Sequence, residues 1–251
     1  MNFPLEDKVA LVTGGAMRLG RAIALTLARA GCDVIIHYRN SREDANDLAE
    51  EIRALGRQAW PLHADFSEED MAEDFLRTAW ETAGWIDILV NNAAMYSRHR
   101  ITESEESDIL TQWRVNTLTP MLLTKALAKC VEDSDILPED YLGHVINILD
   151  RTITAPEHGA LPYWVSKKAL EAYTLGAAKE LAPRITVNAI APGPVLAPPH
   201  QPDTEGELAG TMLLATRCSP EDVSNAVVYL TTARCITGQV LFIDSGQHLI
   251  L

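Results

Sequence analysis

The sequence predicts a single α/β domain, a doubly wound parallel sheet of about seven strands with helices on both faces. Three observations carry that expectation. Short apolar, β-branched runs alternate from end to end with stretches whose apolar residues recur at helical spacing. Most of the strand-like runs are continuously apolar, as strands covered on both faces are. The 251 residues contain no repeat and no linker suited to a boundary, so residues 1–251 are expected to share one core.

Lys8–Thr13 (KVALVT) reads as the first strand and Arg18–Ala30 as the first helix. Asp33–Tyr38 (DVIIHY) is the second strand, with a helix over Glu43–Leu55. A weaker third strand, Gln58–His63, precedes a helix over Phe66–Thr82 that is acidic on its outer face. Ile86–Val90 is the fourth strand, followed by a largely helical stretch over 102–131. His144–Leu149 is the fifth strand, Tyr163–Leu181 a long helix and Ile185–Ile190 the sixth strand. Pro220–Thr231 is a helix with proline in its first turn, and Gln239–Ile243 is the last strand. Two segments are irregular. Glu132–Asp140 is an acidic connection, and Ala191–Gly210, with five prolines and three glycines, is expected to be a mobile surface loop beside the substrate.

Composition excludes several classes of function. A formal net charge of −14 disfavours nucleic acid and acidic membranes, both of which call for a basic face. The acidity reads as solubility. No apolar run approaches the ~20 residues that span a bilayer. The opening MNFPLEDK lacks the basic start and apolar stretch of a secretory signal, so a cytoplasmic location is expected. Cysteines 32, 130, 218 and 235 have no paired spacing and no neighbouring histidines, so neither a metal site nor a disulfide framework is expected.

The turn after the first strand is Thr13-Gly14-Gly15-Ala16-Met17-Arg18-Leu19-Gly20. Gly14 and Gly20 let main chain approach a pyrophosphate, and the helix beginning near Arg18 and Leu19 presents free N–H groups and a positive dipole end. Such a turn between first strand and first helix marks a Rossmann-type dinucleotide site. The second strand ends Tyr38-Arg39-Asn40-Ser41, at the place where an NAD site carries an acid for the ribose 2′-hydroxyl. No acid occupies residues 36–41. Arg39, Asn40 and Ser41, with Arg18 as a second cation, suit a 2′-phosphate instead, so NADPH is the expected cofactor.

Tyr163 and Lys167 stand four apart on one helix and share a face. An ammonium there is expected to lower the phenol pKa from ~10 and make Tyr163 a general acid.

Together these segments resemble the short-chain dehydrogenase/reductase family over essentially the whole chain. In family order come the glycine turn, Asp65, Asn91-Asn92-Ala93, Asn116 in WRVN, Tyr163 with Lys167, Pro192-Gly193 and Ile236-Thr237-Gly238. The resemblance implies that Asp65 contacts the adenine, and that Asn91 and Ala93 support the sheet and the cofactor edge. It implies that Asn116 holds a water in a proton relay to Lys167, which also binds the nicotinamide ribose. Val195, after Pro192-Gly193, would meet the carboxamide. Family members are usually tetramers, which implies a homotetramer, and the apolar Leu249–Leu251 would suit burial in such an interface.

Three positions depart from the common family pattern. Arg18 stands where a glycine is usual, Asp150 where a serine is usual, and Ala94 where a glycine follows Asn-Asn-Ala. Arg18, the basic strand end and Asp150 together resemble the pteridine reductases, where an aromatic residue in the position of Tyr96 covers the pterin. The implied substrate is a dihydropterin or dihydrofolate, read by Arg18, Tyr96, Asp150 and Tyr163. A carboxyl group can accept a ring N–H or relay a proton to Tyr163. A carbonyl or sugar-alcohol dehydrogenase is the enzymatic alternative, for which serine at position 150 would be usual. A non-catalytic NADP(H)-binding sensor is the other, but it has no need of Asn116, Tyr163 and Lys167 together.

Overall fold

A computed structural model describes residues 4–196 and 212–250. All seven strands are parallel and lie in one sheet, in the order β3-β2-β1-β4-β5-β6-β7. They are β1 (Val9–Val12), β2 (Asp33–Tyr38), β3 (Ala59–His63), β4 (Ile88–Asn91), β5 (Gly143–Ile148), β6 (Ile185–Pro192) and β7 (Val240–Ile243). Every predicted strand is present.

Side chains alternate across a strand, so each central strand feeds two core layers. Ala10 and Val12 of β1 join the layer under α1 (Arg18–Arg29), α2 (Arg42–Ala54) and α7 (Pro220–Thr232), with Ile23, Leu27, Leu48, Ile52, Val223 and Val227. Val9 and Leu11 join the opposite layer, under α3 (Met71–Ala83), α5 (Thr119–Glu132) and α6 (Leu161–Glu180), with Leu76, Leu123, Leu127 and Ala177. Each fully buried Leu or Ile contributes roughly 1.5–3 kcal/mol.

The topology positions the site. From β1 the chain works outward to β3, then returns to β4 on the other side of β1. The helix after β1 covers one face and α5 covers the other. The carboxyl ends of β1 and β4 therefore flank an open crevice, the usual ligand position in such sheets.

Several element bounds differ from expectation for local reasons. Residues 66–70 are turn rather than helix, because the Asp65 carboxylate accepts hydrogen bonds from Ser67 N (2.9 Å) and Oγ (2.6 Å) and bends the chain before α3. The helix expected from 102 starts at Glu106 as α4 (Glu106–Trp113), and a π-helical turn, Arg114–Leu118, separates it from α5. The long helix α6 begins two residues early, with Pro162 in its first turn. Of the expected loop at 191–210, β6 takes residues 191 and 192, and 197–210 lie outside the described residues. Leu251 lies outside them too. Among the described residues no helix is long and apolar enough to cross a membrane.

Candidate active site

The glycine turn closes over the end of β1 and is stitched to β4 by side chains. Thr13 Oγ1 donates to Val90 O (3.3 Å) and accepts from Asn92 N and Ala93 N, both at 2.9 Å. Asn92 Nδ2 donates back to Thr13 O (2.8 Å) and Gly14 O (3.2 Å). Gly14 has φ +61, and a Cβ there would stand 3.2 Å from Ala93 Cα. A Cβ at Gly20 would stand 2.1 Å from Gly14 O, so only glycine lets α1 pack onto the turn. Arg18 is a non-glycine residue at φ 53. That conformation costs roughly 1–2 kcal/mol, and a cation in the first turn opposes the helix dipole.

A cavity of about 480 Å³ occupies the crevice, walled by Gly14, Arg18, Leu19, Gly20, Arg39, Asp65 and Ala93 among others. Nine further cofactor candidates stand outside that wall, four of them at or just beyond the ends of β2 and β4. Tyr38 is buried in the core layer under α1 and α2 and is not among the residues that wall the cavity. Asn91 is buried, and its Nδ2 donates to Asn147 Oδ1 (2.8 Å), tying β4 to β5. Asn40 is exposed beyond Arg39, and Ser41 Oγ donates to Met17 Sδ (2.9 Å), joining the end of β2 to the turn. The basic end of β2 is also less free of acid than the sequence implied. Asp65 Oδ1 lies 4.0 Å from Arg39 Nη1. Burial raises the Asp65 pKa, but the Ser67 hydrogen bonds and Arg39 more than offset it and hold the carboxyl below its ordinary value.

The reactive groups gather where β5 meets α6. Asp150 begins a 3₁₀ turn (Arg151–Thr154), and its Oδ1 accepts from Thr152 N at 2.8 Å. Its Oδ2 accepts from the Tyr163 hydroxyl at 3.1 Å. Lys167 is 2% exposed, donates to Ile148 O (2.8 Å), and lies 5.8 Å from the Tyr163 ring centroid. The expected lowering of the Tyr163 pKa does not occur in this arrangement. Burial, then the charge and hydrogen bond of Asp150, raise it well above the ordinary value. Burial lowers Lys167 to about 8, with Asp150 opposing. Tyr163 is therefore a protonated donor at neutral pH, the state that a general acid needs.

Tyr96 is 52% exposed, with its ring edge-on to Tyr163 at 4.9 Å. The loop carrying it is fixed by Asn116, which sits in the π-helical turn. Asn116 Oδ1 accepts from Met95 N (2.7 Å), while Nδ2 donates to Met95 O (2.8 Å) and Ser166 Oγ (3.1 Å). Ser166 Oγ in turn donates to Tyr163 O at 2.6 Å. Pro192 ends β6. Gly193 N donates to Ile243 O (2.8 Å), and Val195 packs against the α1-side core.

Three contributors to the site were not legible as such in the sequence: Asn92, Ser166 and His37. Asn92 lies within Asn91-Asn92-Ala93 and Ser166 between Tyr163 and Lys167, but only the fold shows their bonds. His37 lines the cavity, opposite in direction to its neighbour Tyr38.

The family model for enoyl-(acyl carrier protein) reductases matches residues 14–248. An uncharacterized oxidoreductase of Mycobacterium tuberculosis, MT0954, is 36% identical, with 97% of this chain and 93% of that protein covered. A 3-oxoacyl-[acyl-carrier-protein] reductase of Synechocystis sp. is 30% identical over 97% of this chain and 98% of its own. Among solved structures, FolM alternative dihydrofolate reductase 1 from Brucella canis, complexed with NADP, superposes with a TM-score of 0.88. It is 33% identical, with 99% of this chain and 96% of that chain covered.

Proposed function

The chain belongs to the short-chain dehydrogenase/reductase family, and from that membership we propose that it is an NADPH-dependent oxidoreductase that reduces a pterin-type substrate, a dihydropterin or dihydrofolate. The observation that carries the substrate class is the 3.1 Å hydrogen bond from Tyr163 to Asp150, a carboxylate at the position where the common family pattern has serine. The likeness to the Brucella canis enzyme supports the same reading.

The cradle suits a dinucleotide, because its glycines leave main chain as the floor and Arg18 and Arg39 stand on its wall. Leu19 and Gly20 would hold the pyrophosphate through main chain, with Gly14, whose own N–H is taken by His37, letting it approach the turn closely and Arg18 beside them. Arg39, Asn40 and Ser41 would hold the 2′-phosphate, and Asp65 the adenine. Asn91 and Ala93 would back the cofactor edge, Tyr163 and Lys167 would bind the nicotinamide ribose, and Pro192, Gly193 and Val195 would meet the carboxamide. Bound NADPH supplies the hydride. The chain's own residues supply the proton and the orientation. Tyr163 holds a proton at its hydroxyl, and burial keeps it there until the substrate nitrogen or oxygen takes it. Asp150 orients that hydroxyl and accepts a ring N–H. Tyr96 offers a ring face to a flat substrate. The side chain of Asn116 is engaged by Met95 and Ser166, so a relay water toward Lys167 would use its main chain, in a turn whose hydrogen-bond register is already shifted.

Carbonyl reduction is the second reading, favoured by the relatives named 3-oxoacyl reductases. One assay separates the two. NADPH oxidation is followed with dihydrobiopterin, dihydromonapterin and dihydrofolate, and with ketones including a 3-oxoacyl thioester. Pterins are expected to turn over, and Asp150→Ser is expected to lower their kcat/KM by about tenfold or more, the loss of a charge-assisted hydrogen bond, while sparing ketones. Oxidation with ketones alone, or a Ser variant as good on pterins as the wild type, sinks the pterin reading. No oxidation with any substrate points to a sensor.

The same proposal extends to assembly and setting: a cytoplasmic homotetramer with a small-molecule substrate and no nucleic-acid or membrane partner. Ile109, Leu110 and Trp113 of α4 and Leu161, Val165 and Leu175 of α6 are large apolar side chains left exposed on helices in contact with each other. A second copy would cover them. Light scattering on the eluted protein tests the assembly, and a monomer overturns it.

A further inference from the structure

The end of β2 does more than face a ribose phosphate. Alternation sends His37 and Tyr38 to opposite faces, and His37 lands against the phosphate turn. It is 3% exposed, stacked on Phe66 at 4.2 Å and edge-on to Phe75 at 5.1 Å. Both ring nitrogens are engaged. Gly14 N is a donor and lies 2.9 Å from Nδ1, so Nδ1 accepts and carries no proton. Ala64 O is an acceptor and lies 3.1 Å from Nε2, so Nε2 carries the proton and donates it. Only the neutral Nε2–H tautomer satisfies both partners. The carbonyl of His37 also accepts from Gly15 N at 2.9 Å. Two consecutive amides of the turn thus hang on one residue.

These contacts join two segments that line the cavity, the turn at Gly14 and the chain at Ala64. Gly14 is the turn residue at φ +61, on the phosphate side. Ala64 immediately precedes Asp65, and both line the same cavity. We propose that His37 is a positioning residue for the dinucleotide: its neutral imidazole clasps the phosphate turn at Gly14 to the adenosine wall at Ala64 and so sets both halves of the site before the ligand arrives. The proposal rests on reading the cavity as a dinucleotide site and is independent of which substrate is reduced.

Chemistry explains why the ring must be histidine. Phenylalanine fills the same stacked space but leaves the Gly14 N–H without its acceptor, and a stranded buried donor is expensive. Asparagine places an oxygen near the Nδ1 position and can still accept from Gly14, though it is too short for Ala64. Burial holds the imidazole neutral, which agrees with the geometry. His63 and Asp65 are the titratable groups that bear on it from β3 and the turn beyond, and the residue facing it from α3 is the uncharged Phe75.

The test uses the purified full chain, with binding rather than turnover as its first readout. Dissociation constants are measured for NADPH and for adenosine 2′,5′-bisphosphate with wild type, His37→Phe and His37→Asn, and kcat is measured at saturating NADPH. His37→Phe is expected to weaken both ligands about tenfold or more while kcat stays within about twofold, and His37→Asn is expected to recover most of the loss. Nitrogen-15 spectra of the wild type are expected to show His37 as the Nε2–H tautomer at neutral pH. Undiminished binding by His37→Phe overturns the clasp, and so does an Nδ1-protonated or charged ring. Should His37→Phe fail to fold, the tautomer and the Asn variant decide. Wild type that binds neither ligand overturns the dinucleotide reading and the clasp together, whereas wild type that binds with His37→Phe unaffected overturns the clasp alone.

Discussion

The cavity proposed to hold the dinucleotide and the proposed reactive centre lie at the carboxyl ends of strands in one sheet, but they use burial in opposite ways. At the β1–β4 crevice the fixed contacts are main-chain groups and neutral side chains: the Gly14 and Gly15 amides, Asn92, Thr13 and an uncharged His37. At the junction of β5 and α6 three ionisable side chains meet, Asp150, Tyr163 and Lys167. Burial on the first side removes charge, leaving dipoles that stay put when an anion binds. Burial on the second side moves proton affinities, Tyr163 upward and Lys167 downward, as it does for groups whose charged forms are desolvated. A site for holding and a site for reacting differ in whether their buried groups are meant to titrate.

The contrast breaks most sharply at Tyr163. Tyr163→Phe removes only the hydroxyl, so turnover is expected to fall by about 10²- to 10⁴-fold, far more than NADPH affinity falls with the loss of one ribose contact. Steady-state kinetics beside direct NADPH titration check it, and a variant keeping most of its activity would remove Tyr163 as the acid. The converse substitution is Arg39→Asp. It is expected to weaken NADPH by roughly 10- to 100-fold, the loss of charge-assisted hydrogen bonds, and to shift preference toward NADH without changing kcat once the site is filled. Equal use of NADH and NADPH by the wild type would refute the assignment of Arg39.

A smaller effect sharpens the claim that burial strips charge. His37 and His144 are both buried, and desolvation lowers each from 6.5 to about 4. His144 faces Thr186 Oγ1 at 2.8 Å, near the opposite end of the sheet. The unfolded chain binds more protons than the folded one between those values. Stability from these groups is therefore complete above about pH 6.5 and is lost as pH falls toward 4, on the order of 3 kcal/mol each. Urea midpoints across that range are expected to fall less steeply for His144→Phe than for wild type. Identical slopes would show that His144 does not drive the loss.

Much of this was legible along the chain, because it depends on local order. The alternation of apolar runs and helical periodicities requires a parallel sheet covered on both faces, and the sheet has that form. The glycine turn between β1 and α1, the basic end of β2, and Tyr163 with Lys167 on one helix face are all short-range patterns. No single spacing identifies them, but their order along the chain carries the family resemblance. Tertiary structure decided whatever depends on what stands across from a residue. Asp65 faces Arg39, so the basic strand end has an acid beside it. Tyr38 turns into the core and His37 into the cavity wall, although they are adjacent in sequence. Asp150 reaches the Tyr163 hydroxyl, and that contact, with burial, raises a pKa that the Tyr–Lys spacing alone led one to expect lowered. Spacing reports which side chains share a face. Desolvation and the sign of the nearest charge are set by segments far away in the chain, and only the packed fold brings those segments together.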